Sequence, residues 1–414
     1  MKKTITTYNR SSEYEIETLT TLEQLATIRT EWDSLVKQMP IVSPCITYEW
    51  LATWWICMKD DDKELYVVVI KKSGTLIGIA PLMLVKDRFL FFKIRKIEFL
   101  SMSKYADSPS NIAVSIDFII PNNNDEIINT LIQFLKNKFN WHFIRLNPVA
   151  SDSPTIENLK TATIKSGYKY NANVVFDNVI LPITDSWQNY FKSLSKNFRK
   201  HLNAAEKRLK EKYEITVELH TAKEELRLHM ATLLDIEKRS WKWDIGISIN
   251  SIVFCDFFNR LIDLGADSGM IQLWLLRVGN KYIAYDYNIL FQNSVTSLKG
   301  SYDSDYHSYG PGNILLAKEI EHAFQQKVTS INMLWGMTTT KQRWLPVTKT
   351  YMQIFIFNHG WYPQFLNFIL IKLHYLSFER VFIEYRDRLL RKFNIRLRNS
   401  ELTRIDQLNE IKRK

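Results

Sequence analysis

Gly300-Ser301-Tyr302-Asp303-Ser304-Asp305-Tyr306-His307-Ser308-Tyr309-Gly310-Pro311-Gly312-Asn313-Ile314-Leu315-Leu316 is the stretch that decides how the chain is read. A strand ends, a loop follows whose two glycines flank Pro311, and a helix begins with an apolar stripe over Ile314, Leu315, Ala317, Ile320 and Ala323. Glycine lets a bulky anion approach the backbone, and the unpaired N–H groups of a first helical turn add donors and a positive dipole end. The same layout also serves as an ordinary strand-to-helix turn. A lysine after the glycines, or an acidic ribose partner about 20 residues on, would mark the common nucleotide sites, and neither stands in proper context. A glycine turn fed by an antiparallel hairpin points instead to the pyrophosphate of an acyl-CoA.

Working outward, the hairpin upstream is predicted over 271–278 and 282–291 with Gly279-Asn280 at its turn, followed by a strand over 295–301. A helix over 313–326 and strands over 330–334 and 351–357 follow the loop. Before the hairpin come a helix from 187 to about 212, a strand over 215–219, and helices over 224–238 and 252–264. The first half has the same order. It begins with a strand over 14–19 and a helix over 22–38, Thr20 being the N-cap with Glu23 three residues on. A helix over 48–58 carries Trp50, Leu51, Trp54 and Trp55. Strands are then expected over 65–71, 76–85, 91–100 and 112–119, a helix over 125–139, a strand over 142–146, a helix over 155–166 and a strand over 172–181. The fold class is therefore α/β, with two tandem units of mixed, mostly antiparallel sheet flanked by helices. The units span 14–181 and 187–358, and a C-terminal amphipathic helix with a basic tail occupies 362–414.

Composition limits the classes. The 414 residues are 46% hydrophobic and 24% charged, which fits a folded chain and not a disordered one. Cys45, Cys57 and Cys255 are scattered, with no CxxC or Cys/His spacing, so neither a disulfide scaffold nor a zinc module is expected. His201, His220 and His322 have no partner at metal-ligand spacing, and no metal is expected. The N-terminus lacks an apolar signal region, because Asn9, Arg10 and Glu13 arrive too early, and the apolar tract over 365–376 is broken by Asn367, Lys372 and His374. A cytoplasmic protein is expected. The formal charge of +11 favours anionic partners. The basic run from Lys192 to Lys212 reads as a solvated amphipathic helix, and nucleic acid is not expected.

His307-Ser308-Tyr309-Gly310-Pro311-Gly312 resembles the (Arg/Gln)-x-x-Gly-x-Gly/Ala pyrophosphate signature of the GNAT acyltransferase superfamily, with His307 in the place of Arg or Gln. The chain as a whole, from about 15 to 345, resembles the CelD-like (cellulose-biosynthesis type) acetyltransferases, relatives of the FemAB peptidyltransferases with two GNAT units in one chain. The likeness is carried by Ser43-Pro44 with Trp50-Leu51 and Trp54, by Gly78-Ile79-Ala80-Pro81-Leu82, and by Tyr190 to Arg199. Gly300-Ser301-Tyr302-Asp303 with Gly312, and Gly336 followed by Lys341, complete it. The family often has Asp and Tyr where this chain has Asn332 and Thr340.

The resemblance implies direct transfer of an acyl group, acetyl first, from acyl-CoA to an amine of a sugar or cell-envelope precursor, with no metal and with aminoacyl donors excluded. A strand N–H would polarise the thioester carbonyl, a base would take the amine proton, and a tyrosine would protonate the thiolate. Asp303 is the expected base or amine-orienting carboxylate, Tyr306, with Tyr309 beside it, the expected thiolate donor, and Lys341 a third catalytic residue. His307, Tyr309, Gly310, Gly312 and Asn313 would hold acetyl-CoA; Asp107, Glu237, Trp241 and Arg343 would meet the acceptor. Plain alternatives stand beside these: a turn-capping Asp, aromatic packing, solvated loop cations. No glycine pair follows Asp107, so the first unit is expected to have lost cofactor binding. The competing functions are aminoacyl-tRNA-dependent transfer of FemAB type and a non-catalytic role in exopolysaccharide assembly. The C-terminal helix, apolar and basic by turns, is expected either to cap the second unit or to touch an anionic membrane peripherally, beside a lipid-linked sugar.

Overall fold

The computed structural model describes residues 13–89, 92–102, 114–121, 125–138, 140–244 and 252–373. The first half holds strands β1 Tyr14–Leu19, β2 Lys63–Lys72, β3 Thr75–Phe89, β4 Phe92–Phe99, β5 Phe143–Ala150 and β6 Lys169–Pro182. Its helices are α1 Leu22–Ala26, α2 Arg29–Lys37, α3 Tyr48–Met58, α4 Asp125–Lys138 and α5 Pro154–Lys165. The second half holds helices α6 Trp187–Ser193 and α7 Lys196–Lys212, strand β7 Ile215–His220, and helices α8 Lys223–Lys238, α9 Trp241–Asp244 and α10 Ile252–Gly265. Then come β8 Ile271–Val278, β9 Lys281–Phe291, β10 Ser294–Tyr302, α11 Pro311–Gln325, β11 Ser330–Trp335, α12 Thr339–Gln342, β12 Val347–Phe357 and α13 Trp361–Asn367.

The twelve strands of the described residues form one sheet in the order β1-β2-β3-β4-β5-β12-β6-β11-β10-β9-β8-β7. The expected pseudo-repeat is visible in the pairing. β1 to β4 are antiparallel and β5 joins β4 in parallel; β7 to β10 are antiparallel and β11 joins β10 in parallel. The two remaining strands are exchanged. β6, last strand of the first half, pairs with β11, while β12, last strand of the second, pairs with β5. β6 and β12 then pair with each other from Val347–Ile180 to Phe357–Lys169. A boundary between 181 and 187 in sequence is therefore no boundary in the sheet.

The main core lies across both halves on one face. Trp50 of α3 meets Phe257 of α10 edge-on at 5.3 Å, and Tyr285 and Tyr287 of β9 join the same cluster as Phe99 and Phe118. Val67, Val68, Val69 and Ile70 are all buried, the continuous apolar run of a strand covered on both faces. On the opposite side of the second half, Phe198 of α7 packs edge-on against the buried Trp344 at 4.9 Å, and Leu209 packs with Ile314 and Leu315 of α11.

Several sequence expectations shift. The first helix is capped by Thr21, not Thr20: its hydroxyl accepts from the Gln24 N–H while the Gln24 amide oxygen accepts from the Thr21 N–H. The helix expected over 22–38 breaks between Ala26 and Arg29, and the one over 187–212 breaks at Leu194-Ser195, where Ser195 caps α7. Of the strand expected over 112–119, the described part makes one bridge, Ile119 to Ile79. β12 starts four residues earlier than its apolar run, because 347–350 pair with β6. Among the described residues no helix is long and apolar enough to cross a membrane.

A chain ending at Leu345 lacks β12 and leaves open edges on β5 and β6, where unpaired backbone groups face solvent. Calorimetry should then show a split or aggregating transition in place of the single unfolding of the full chain. One cooperative transition at the parental temperature would contradict the stitching role of β12.

Candidate functional site

β10 and β11 pair only from Ser294–Ser330 to Thr296–Asn332, yet β10 runs on to Tyr302. β11 turns away instead: an extra residue bulges it after Asn332, Leu334 takes a φ of 63°, and Trp335 pairs with Asn178 of β6. A wedge opens between the two parallel strands. On the other edge of β10 the register with β9 shifts between Ser297 and Lys299, a bulge that breaks the regular ladder.

The wedge leads to the glycine turn. Residues 304–309 form a 3-10 turn, and Gly310 adopts the left-handed φ of 60° that sets the chain into α11, a geometry a side chain at this position would strain. Pro311 has no N–H, and the Asn313 and Ile314 N–H groups bond the Gly310 carbonyl. The first helical turn therefore offers chiefly the Gly312 N–H. A Cβ on Gly312 would meet only the Tyr302 ring, at 3.5 Å, so the protein has room for it. Tyr302 also bonds His307 Nδ1 through its hydroxyl at 2.9 Å, which groups Tyr302, His307 and Gly312 at the mouth. Burial raises the Tyr302 phenol. The basic helix α7 flanks this turn, Arg208 donating to the Ser308 carbonyl at 3.3 Å.

Asp303 does not have the surroundings of a general base. It is buried, its carboxylate paired with Arg239 and with Lys281 Nζ at 2.8 Å, and it caps the turn by accepting from the Asp305 N–H at 3.0 Å. Burial pushes its carboxyl up, but the Lys281 and Asp305 hydrogen bonds and the Arg239 charge outweigh that and hold it below the usual carboxylate range. Such a group accepts protons poorly near neutrality. Its charge ties Arg239, at the end of α8, and Lys281 of β9 to the loop, so Asp303 is first of all a structural anchor. Tyr306 and Tyr309 pack on Tyr213, and the Lys281 ammonium lies 5.3 Å from the Tyr306 ring centroid. They are the aromatic packing that the sequence left as the alternative.

Asp286 of β9 has the better environment. It faces Gly300 across the β9–β10 pair, and its Oδ1 lies 1.6 Å from where a Gly300 Cβ would stand; only glycine admits the carboxylate there. From α11, the buried Glu319 closes on it, fixed by the Asn288 amide, which donates to Glu319 Oε2 at 2.6 Å. Burial pushes the Asp286 carboxyl up to about 6, against the Glu319 hydrogen bond and the Lys242 charge, which pull it down. Burial, then the neighbouring Asp286, hold Glu319 well above the usual range. Two carboxyls in contact share one proton; burial raises both, Glu319 the further, which leaves Asp286 the more readily ionised of the two.

Glu237, at the end of α8, is fully buried on the other face of β9. Its Oε1 accepts from Tyr285 at 2.5 Å, and among the described residues its Oε2 has no hydrogen-bond partner, nor has the buried Ser301 hydroxyl. Lys242 of α9 donates to the Gly300 carbonyl and lies in the field of both Glu237 and Asp286. Trp241 beside it is exposed. Lys341 bonds the Trp335 carbonyl at 3.0 Å, and burial pushes its ammonium down to about 8. Arg343 is exposed, its guanidinium 5.9 Å from the Phe198 ring centroid. Asp107 lies outside the described residues. Asp286, Glu319 and Lys242 were not singled out by sequence, and Tyr302 stood there only within the Gly300 to Asp303 motif, with no role of its own. A signal existed for Glu319, a charge inside the apolar stripe of α11; Asp286 and Asn288 alternate with apolar residues and read as solvent-facing.

Residues 196–342, about a third of the chain, match the family described as the acetyltransferase (GNAT) domain. No curated protein matches the chain by sequence. Among solved structures, FemX is similar at 14% identity and a TM-score of 0.58, covering 86% of this chain and 99% of FemX. L-PGS from Bacillus licheniformis is 10% identical with a TM-score of 0.49, covering 80% of this chain and 92% of its own. A tandem GNAT protein from the clavulanic acid biosynthesis pathway is 9% identical with a TM-score of 0.42, covering 84% and 100%. The chain thus carries a GNAT-type acyltransferase fold, mixed α/β with a large, mostly antiparallel sheet.

The Asp286–Glu319 pair predicts a stability profile. Both carboxyls bind protons more tightly folded than unfolded, so the pair's contribution to stability is greatest in acid and falls as pH rises from about 4 through about 6 and beyond. Glu319→Gln keeps a donor toward Asp286 and an acceptor for Asn288 while removing one titration. Its melting temperature should exceed the parent's at pH 7.5 and converge with it toward pH 4.5. A parent-like slope of melting temperature against pH would show that Glu319 holds no such proton.

Proposed function

We propose that the chain transfers an acyl group, acetyl in the first instance, from acyl-CoA to an amine of a sugar or cell-envelope precursor, as the CelD-like resemblance implies. The observation that carries this reading is the wedge between β10 and β11, which opens beside a glycine-bounded helix start and next to a carboxyl poised at about 6. The pyrophosphate would meet the Gly312 N–H, the α11 dipole and the positive charge of α7. Beyond Thr296 the edge of β10 that β11 leaves would supply a strand N–H for the thioester carbonyl. The amine nitrogen attacks the carbonyl carbon, its proton passes to Asp286, the C–S bond breaks, and the thiolate takes a proton from Tyr302, whose raised phenol stays protonated near neutrality. Tyr302 replaces Tyr306 in that role. Glu237, with one carboxylate oxygen unpartnered, would hold the ammonium form of the acceptor beside Trp241, and Lys341 with Arg343 would meet an acidic group on it.

The exclusion of aminoacyl donors is not retained. An aminoacyl-tRNA also brings an activated acyl group and phosphate, and α7 lays its cations along the same turn. Calorimetric titration with acetyl-CoA and with total tRNA separates the donors. The acyl-CoA reading expects saturable binding of the first alone, weakened at least about tenfold by Gly312→Val, a loss of about 1.4 kcal/mol. Binding of tRNA only, or equal acetyl-CoA binding by folded Gly312→Val, would overturn it.

The base assignment has its own sign. Asp286 must be ionised, so kcat/KM should fall as pH drops through about 6, and Asp286→Asn should lose about 100-fold or more with donor affinity little changed. Retention of the acid limb in Asp286→Asn would assign the base elsewhere.

Peripheral membrane contact belongs to the same reading. α13 buries Leu366 against Phe143, Phe355 and Phe357, while Trp361 (78% exposed) and Phe368 (50%) face outward. Sedimentation with anionic vesicles should carry down more of the full chain than of one ending at Asn358, and the difference should shrink in high salt. Equal recovery of both in the supernatant at low salt would leave α13 as a structural cap.

A further inference from the structure

Among the described residues β7 is the last strand of the sheet and pairs only with β8. Glu218 and His220, two residues apart, share one of its faces, and His229 reaches them from α8. One ligand atom from each of the three lies within 4.8 Å of the others. Sequence spacing gave His220 no partner at metal-ligand spacing; the turn at 221–222 folds α8 back and supplies one.

The fit is specific. In a tetrahedral zinc site with bonds of about 2.0–2.1 Å, ligand atoms stand about 3.3–3.4 Å apart. His220 Nε2 and Glu218 Oε2 are already 3.3 Å apart. His220 Nδ1 faces Glu225 Oε2 at 3.1 Å, the carboxylate–imidazole arrangement that leaves the other nitrogen for a metal. Glu218 is held by the Tyr282 hydroxyl at 2.9 Å and by Arg277 Nε at 2.8 Å. The His229 ring stands 4.3 Å from that of His220 and 5.4 Å from that of Tyr282, with its ligand nitrogen within 4.8 Å of the other two ligand atoms. Glu218 and Glu225 bring two negative charges against one from Arg277, a balance that favours a dication.

We infer that Glu218, His220 and His229 bind a divalent transition cation, zinc first, with a fourth position left to water. Two imidazoles and one carboxylate suit zinc and not magnesium or calcium, which take oxygen ligands. The ion would clip the edge strand β7 to α8, apart from the wedge, so the site stands or falls independently of the transferase reading.

The test uses the untagged full chain, stripped with chelator and titrated calorimetrically with zinc, with magnesium as control. One equivalent of zinc should bind and raise the melting temperature, magnesium should do neither, and cobalt should give the intense visible absorption of a four-coordinate site. His220→Gln and His229→Gln should abolish these effects, and Glu225→Gln should weaken affinity about 10–100-fold. No stoichiometric zinc binding by the parent chain, or undiminished binding in both histidine variants, would overturn the proposal.

Discussion

The antiparallel pairing of β6 with β12 is the constraint on which the rest of the molecule depends. Each half builds five strands and would end in an open edge at β5 or β11. Each sends its next strand across to cover the other's edge, and the two travelling strands bond one another along their length. Backbone N–H and C=O groups at the centre of so wide a sheet cannot be left unpaired, and this exchange satisfies them without a third domain. It also shapes the site. Because β11 follows β6 after its bulge, it leaves the β11-facing edge of β10 unpaired beyond Thr296 while β9 stays bonded to the other edge, and the wedge results.

Around that wedge, charge is arranged in two tiers. Asp303 is fully compensated by Arg239 and Lys281 and fixes the loop that carries the glycine turn. Asp286 is only partly compensated, by Lys242 and a proton on Glu319, and so keeps proton affinity near neutrality. Burial alone would make both aspartates weak acids. What separates them is how many cations and N–H donors reach each carboxylate.

The glycine loop was legible in sequence because its signal is local: glycine, proline and the apolar stripe of α11 lie within about five helical turns of one another. The pseudo-repeat was legible for the same reason, since element order needs only periodicity and turn residues. Thr21 displaced Thr20 as cap because Gln24, not Glu23, stands three residues after the true N-cap. Asp303 was overvalued because sequence shows a loop aspartate but not the Arg239 and Lys281 that come from 64 and 22 residues away.

By itself the sequence determined the α/β class, the two repeated halves and the glycine-bounded start of α11, because each follows from residues close together in the chain. Only the tertiary structure decided the strand exchange, the wedge, the Asp286–Glu319 pair over Gly300 and the grouping of Glu218, His220 and His229. The first three depend on which strand edges meet and which charges are buried together, set by contacts between residues distant in sequence, and the last on how the turn at 221–222 folds α8 back along β7.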